Sequence, residues 1–567
     1  MSSFWSRLWK VTLSSAFALS ASVLVVLALV QSVTPAHAQS STDPQWNVML
    51  TGSELRLCSS MNSDYCSSTD WINANEMRTA RLFQLTDVRR REALRRAVWP
   101  RERDEVREEL SVVLEEMVDF FARGVVPEYR LVERFRSRAY LDLLMRLSEA
   151  EYDRVLDNLE MPRLEGLDEH VNLAANADYS AEFVTRFVAM AEDQQQRNGR
   201  EGKPLILVVT AGERDTFRSV DSHVAAFKQA GADAVWLPAD VAVRAAREAN
   251  ECRALESYRR QLSGNYDRDR VHPSRHAEQL AYCSNVAQAE QLIQQASAVF
   301  FTGGSAQRLF RALQGSAELA LLQTRFSEGK LAVGGAGAGA QAMVATNMLT
   351  NGHSRDAIRN GAFAATAPMP GCDLDNTCPR GLNPNSLTYE PLGGFGMLRN
   401  LIVDTDVSHR GRQGRLLRLA ASTNAPLAIG LDRDTAMLMN SASGAFELIG
   451  QDGALFLEGA QGNDSMLAAT FHYLRSGSMG RIESGRLHTA VLAAQQPQRL
   501  ESITTRFLGD TGVYDNLDSV CRGSQQLRLL QETFVLQMLA SEDSEIERTA
   551  GRCQVTNGVI GVAIQAP

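Results

Sequence analysis

The chain has 567 residues, more than one ordinary domain holds, which predicts two or three domains. Its 44% hydrophobic and 22% charged content is that of a soluble globular protein with a large core. A net charge of −9 argues against nucleic acid as the main partner, because phosphate recognition needs a cationic surface.

Residues 1–38 read as an export signal. Arg7 and Lys10 supply a positive start, Val11 to Val33 is almost wholly apolar or small, and Ala36-His37-Ala38 is a small-x-small cleavage site. The apolar run is near spanning length, so a retained anchor is the competing reading. Cleavage near Ala38 predicts a periplasmic or secreted protein with no stable membrane insertion. Export permits disulfides. The eight cysteines fall into sequence neighbours, and proximity pairs Cys58 with Cys66, Cys252 with Cys283, Cys372 with Cys378 and Cys521 with Cys553. No cysteine or histidine spacing calls for a metal, and nothing calls for a cofactor.

Residues 39–202 are expected to form a mainly helical N-terminal domain. Gln39 to Asp70 is polar and irregular, with one cysteine loop. The clearest helix runs from Arg101 to Arg123, where Val106, Leu110, Val113, Leu114, Met117 and Phe121 recur at helical spacing. Arg89, Arg90, Arg91, Arg95 and Arg96 precede it and read as a solvated helix face. Leu141 to Leu147 and Ser180 to Gln195 suggest further helices.

The texture changes at Lys203. Pro204 to Val209, Ala234 to Pro238, Ala298 to Thr302 and Ala332-Val333 are apolar runs of strand length separated by helical stretches. That alternation predicts a parallel α/β sheet, whose ligands bind beyond the carboxyl ends of strands. Gly303-Gly304 and Gly334-Gly335 fall at such ends. The second pair opens Gly334 to Met343, GGAGAGAQAM, which has the strand, glycine turn and helix of a nucleophile elbow. No Ser, Cys or Thr stands in it, so this stretch alone favours a plain glycine turn or a degenerate phosphate loop over an elbow. Insertions at Val241 to Ser297 and Asn351 to Gly394 are expected to hang near the site. Leu401 to Leu416 carries a strand end at Asp404 and then Arg410, Arg412 and Arg415 between glycines. Leu427 to Leu431 and Ala436 to Met439 flank Asp432-Arg433-Asp434. Phe446 to Gly450 and Ala454 to Leu457 read as a hairpin around Asp452-Gly453. Residues 481–567 form a C-terminal extension, expected to be helical around Gln525 to Leu539.

Four segments in this order, FFTGGSAQRL at 300–309, GGAGAGAQAM at 334–343, DTDVSHRGRQGRL at 404–416 and AIGLDRDTA at 428–436, resemble the cyanophycinase and α-aspartyl dipeptidase family of serine peptidases. FHYLRSG at 471–477 resembles the end of that domain. The resemblance covers 203–480. It implies a flavodoxin-like sheet similar to class I glutamine amidotransferases. It also implies hydrolysis next to aspartyl residues, including the β-aspartyl-arginine units of cyanophycin, by a serine, a histidine and an acid.

Carried over position by position, that catalytic set is replaced. Gly334, Gly335, Ala338, Gly339 and Ala340 match the family elbow, and its serine position is Gly337. The histidine position is Asp406 and the acid position is Arg433. Glycine offers no nucleophile and arginine has no acceptor with which to orient a histidine. Two consequences are open: an ion pair between Asp406 and Arg433 that fills the old site, or both side chains pointing to water. What survives is binding chemistry: backbone around Gly304, Gly335 and Ala338, and the guanidiniums of Arg410, Arg412 and Arg415, suited to a carboxylate. The favoured reading is an exported, catalytically inactive relative that binds a peptide-like or anionic ligand or a protein partner. The alternatives are a hydrolase with a relocated nucleophile, for which Ser305, Ser408 and His409 are the candidates, and a structural envelope protein. Oligomerisation stays open.

Overall fold

The structure is a computed structural model that describes residues 45–488, 502–521, 526–540, 543–549 and 552–564. The expected leader and its cleavage site at Ala38 lie outside the described residues.

The chain lays down β1 (Val48–Thr51), β2 (Leu205–Val209), β3 (Asp233–Trp236), β4 (Ala298–Phe301) and β5 (Ala332–Ala336). Then come β6 (Leu401–Thr405), β7 (Leu427–Leu431), β8 (Thr435–Met439), β9 (Ala445–Gly450), β10 (Gly453–Gly462) and β11 (Met466–Arg475). Further along are β12 (Met479–Glu483), β13 (Arg486–His488), β14 (Ser502–Thr504), β15 (Gln526–Gln531), β16 (Phe534–Leu539), β17 (Glu545–Thr549) and β18 (Arg552–Ile564), while short strands at Leu82–Phe83, Val126–Pro127, Met348–Asn351, Ala362–Ala364 and Leu387–Glu390 form two small sheets. Two large sheets result, and the class is mixed α/β. The first has the order β13-β12-β9-β8-β1-β5-β4-β2-β3, and the second β6-β7-β10-β11-β18-β16-β15-β14, with β17 beside β18.

Within the first sheet, β1, β5, β4, β2 and β3 run parallel. Both faces of these strands are covered, which is why their sequences are continuous apolar runs. Leu207, Val209, Val299, Phe301 and Val333 point into one core, and Ile206, Val208, Ala298, Phe300 and Ala332 into the other. The second core is closed by the helix Ser180–Arg197, whose Phe187 ring meets Phe300 at 5.2 Å. The helical region before it has its own core around Phe83, Leu110, Leu114, Met117, Leu131 and Phe135. Its longest early helix is Asp104–Phe120.

Buried charge ties that region to the loop after β2. Arg268, fully buried, bonds Asp215 at 2.8 Å and Glu160 at 2.9 Å, while Arg214 bonds Asp157 at 2.6 Å. Arg81 and Arg268 draw the Glu160 carboxyl far below its ordinary range against the burial that raises it. Four disulfides join Cys58–Cys66, Cys252–Cys283, Cys372–Cys378 and Cys521–Cys553, a content compatible with an exported protein. No helix among the described residues is long and apolar enough to cross a membrane.

Three local expectations are corrected. Residues 48–51 are not irregular: β1 lies between β5 and β8, and all four residues are buried. Phe446 to Leu457 is not a hairpin. β9 pairs with β8 and β12, β10 with β7 and β11, and Asp452-Gly453 carries the chain from one sheet to the other. The segment around Gln525 to Leu539 is not helical over its described part. β15 and β16 pair antiparallel, with Leu527 and Leu529 alternating inward and Glu532 turning at φ 55°. β18 then pairs with β11, so the C-terminal extension continues the second sheet.

Candidate functional site

Because β1, β2, β4 and β5 are parallel neighbours, their carboxyl ends lie along one edge. Four turns follow there: Gly52-Ser53-Glu54, Thr210–Asp215, Thr302-Gly303-Gly304 and Gly337. Gly337 adopts φ 53° and ψ −113°, a conformation that strains any residue with a Cβ, and a single helical turn, Ala338–Gln341, follows it. The tip of the elbow is thus a sharp turn without a side chain. Gly335 is buried in β5, registered between Leu50 and Phe301, and Ala338 is 7% exposed.

Asp406 and Arg433 come from the ends of β6 and β7, which are themselves parallel neighbours. Arg433 Nη2 lies 3.1 Å from Asp406 Oδ2, and Arg410 Nε reaches the same oxygen at 2.8 Å. Asp406 sits at φ 53°, a left-handed conformation that aspartate tolerates better than most residues. Its other oxygen, Oδ1, is buried and has no hydrogen-bond partner among the described residues. The turn at Ser53 links this pair to the elbow: Ser53 Oγ donates to the Arg433 carbonyl at 2.9 Å, and the Ser53 backbone passes close to Gly337.

The three arginines of the basic segment have different surroundings. Arg415 is buried and grips Asp404 with Nε at 2.8 Å and Nη2 at 2.6 Å, and donates to the Gly352 carbonyl. Burial raises the Asp404 carboxyl, but Arg415 outweighs it and holds it below the ordinary range. Arg412 donates to the Thr405 carbonyl at 2.6 Å. Burial, with Arg415 nearby, pulls its guanidinium down to about 9. Arg410 is 60% exposed. Arg412 and Arg415 therefore brace the loop, while Arg410 and the 35%-exposed Arg433 face outward.

The candidates for a relocated nucleophile are engaged elsewhere. Ser305 caps the helix Ala306–Leu313 by accepting from the Arg308 amide. Ser408 is buried, and its amide donates to Asp432 Oδ1 at 2.9 Å. His409 Nε2 lies 3.6 Å from Asp452 Oδ2, its ring stacks on Tyr514 at 5.0 Å, and its Nδ1 has no partner among the described residues. Burial holds the His409 imidazole below its ordinary range.

Several groups at the site were not singled out from the sequence. Asp432 is fully buried beneath Tyr473, which donates to it, and burial pushes its carboxyl up to about 6. Glu213 accepts from Thr302 Oγ1 at 2.7 Å and from Ser219, and burial pushes its carboxyl up to about 8. Glu54 accepts from the Gly304 amide at 3.0 Å. One signal for Glu54 was present: Val48 to Gly52 repeats the apolar-run-then-glycine pattern of 298–303 and 332–337. Among the described residues, no three histidine, cysteine or acidic side chains converge as metal ligands would.

No family model matches the chain. It is 28% identical over 149 residues to the cyanophycinase of Nostoc sp. and, to the same extent, to that of Trichormus variabilis. Each match covers 26% of this chain and 41% of the relative. The cyanophycinase of Geminocystis herdmanii is 25% identical over 170 residues, 30% of this chain and 52% of the relative. The chain thus spans about half or less of the curated relatives it matches. A solved peptidase from an acI-B1 Actinobacterium covers 53% of this chain and 91% of its own, with 15% identity and a TM-score of 0.32. The chain is distantly similar to cyanophycinases, at the level of a peptidase-like family.

Proposed function

We propose that this is an exported, non-hydrolytic relative of cyanophycinase that holds a peptide-like ligand through the ligand's carboxylate. One observation carries the reading. The elbow ends in a side-chain-free Gly337, and the other two catalytic positions are joined to each other as the Asp406–Arg433 ion pair. A serine peptidase needs a hydroxyl at the first and a base and its orienting acid at the others.

The same residues favour binding. Arg410 and Arg433 share one carboxylate oxygen of Asp406, which leaves excess positive charge facing outward. Asp406 Oδ1 is buried and has no hydrogen-bond partner among the described residues, so it could accept from a ligand N–H once a ligand parts the two arginines above it. A dipeptide carrying both a carboxylate and donors, such as β-aspartyl-arginine, fits that pattern. The flavodoxin-like reading is supported by the order β3-β2-β4-β5. We assign export to residues 1–38, a mainly helical domain to 39–202 that lends β1 and the helix Ser180–Arg197 to the first sheet, the peptidase-like domain to 203–480 and an extension to 481–567.

The test is hydrolysis of β-aspartyl-arginine and a panel of aspartyl peptides, read by mass spectrometry. The natural protein is expected to release no product. The triple variant Gly337→Ser, Asp406→His and Arg433→Glu is expected to gain measurable turnover. Turnover by the natural protein would overturn the proposal and direct attention to His409 and Asp452.

A further inference from the structure

The turn after β1 is fixed on every side. The Gly52 amide donates to the Thr435 carbonyl at 2.9 Å, Thr51 Oγ1 donates to the Ser53 carbonyl at 2.6 Å, and Ser53 Oγ reaches the Arg433 carbonyl. The next side chain, Glu54, is therefore aimed by backbone that has little freedom. It runs past the elbow tip to the turn after β4. Its Cγ lies 2.2 Å from where a Cβ on Gly303 would stand, so Glu54 holds this position only because residue 303 is glycine; a side chain there would push it out. The same Cγ lies 3.7 Å from the Cβ position of Gly337. A side chain at the elbow tip would thus stand against Glu54.

The Glu54 carboxylate ends on the Gly304 amide, with Oε1 at 3.0 Å. That amide is one of the donors expected from the sequence to meet a ligand carboxylate. Its partner is a carboxylate already, supplied by the chain itself. Charge does not oppose this arrangement strongly. Glu213, an acid close enough to feel Glu54, is hydrogen-bonded by Thr302 and Ser219, and burial raises its carboxyl towards the neutral form, with Glu54 adding to the upward push. Glu54 as a whole remains exposed, so it can swing into water without stranding a buried charge.

We infer that Glu54 is an internal ligand: its carboxylate fills the Gly304 turn, and the carboxylate of a peptide ligand binds there by displacing it. The inference rests on the carboxylate-binding reading above and adds its regulation. A site occupied by its own side chain shows an affinity reduced by the fraction of time it stands open.

The test is isothermal titration of the full chain with N-acetyl-L-aspartate and, separately, with β-aspartyl-arginine, comparing the natural protein with Glu54→Ala and Glu54→Gln. Circular dichroism confirms that each variant is folded. Glu54→Gln keeps the size of the side chain and serves if Glu54→Ala does not fold. Glu54→Ala is expected to bind both ligands about tenfold more tightly, the removal of an internal competitor that keeps the site closed most of the time, and Glu54→Gln, whose neutral oxygen accepts more weakly from the Gly304 amide, to bind more tightly than the natural protein by a smaller factor. Binding that the natural protein shows and the Glu54 variants do not improve overturns the internal ligand and leaves the proposed function standing. Absence of binding by all three proteins overturns both.

Discussion

Arg433 and Arg410 converge on a single oxygen, Asp406 Oδ2, at 3.1 Å and 2.8 Å. One carboxylate facing two guanidiniums leaves the group cationic, and both arginines are open to water. Asp406→Asn is expected to leave stability within about 1 kcal/mol, as for partly exposed ion pairs. It is expected to tighten N-acetyl-L-aspartate binding at low salt, because two guanidiniums are released. Calorimetry at two salt concentrations checks this; weaker binding with no salt dependence would contradict it.

Arg415 answers to a different balance. Its two bonds to Asp404 are buried, and its third goes to the Gly352 carbonyl. Arg415→Met leaves the buried Asp404 without its ion-pair partner, held only by Gln341 and the Thr405 amide, which is expected to cost about 3–5 kcal/mol. Urea unfolding measures it. Arg268→Met, in the buried network with Asp215 and Glu160, is expected to fall in the same range of about 3–5 kcal/mol.

Gly337→Ser alone is expected to restore no hydrolysis, because Asp406 and Arg433 still occupy the base and acid positions. It is expected to destabilise by about 1–3 kcal/mol, since a non-glycine residue is strained at φ 53°. Denaturation and a peptide-hydrolysis assay on the same variant check both halves.

The Glu213 carboxyl gives a pH dependence whose sign is fixed. Its pKa is about 8 in the folded protein, raised by burial from an ordinary 4.5. Between those values the unfolded chain releases a proton that the folded chain keeps. Stability from this group is complete below pH 4.5 and declines as pH rises towards 8. Glu213→Gln is expected to gain at least about 1 kcal/mol at pH 8 relative to pH 5, measured against the natural protein. Parallel stability profiles would contradict it.

The Cys252–Cys283 bridge closes a sequence separation of 31 residues within the insertion between β3 and β4. Replacing both cysteines by serine is expected to cost about 3–4 kcal/mol, on the loop-closure account. Reduction-sensitive proteolysis of residues 241–297 provides an independent check.

Much of the edge that carries the site was legible because its signals are local. Continuous apolar runs mark strands buried on both faces, as in β2, β4 and β5, and glycine pairs mark the site edge at β4 and β5. Placing two short segments in register brings Asp406 near Arg433 but leaves open whether they pair or face water; the structure pairs them. Glu54 was missed although Val48 to Gly52 carries the same local pattern, because a four-residue strand inside a polar stretch is easily read as loop. Asp452-Gly453 has the composition of a tight turn. Whether such a turn closes a hairpin or crosses between sheets depends on partners far away, here β8 and β7. The segment Gln526 to Leu539 has enough leucine at both helical and alternating spacing to fit either state. The alternation prevails because β18 offers a strand to pair with.

The most direct test of the account is native mass spectrometry of the purified protein with β-aspartyl-arginine. The account predicts a complex at the mass of protein plus intact dipeptide, with no free aspartate or arginine accumulating on prolonged incubation. Release of aspartate and arginine by the natural protein would contradict it.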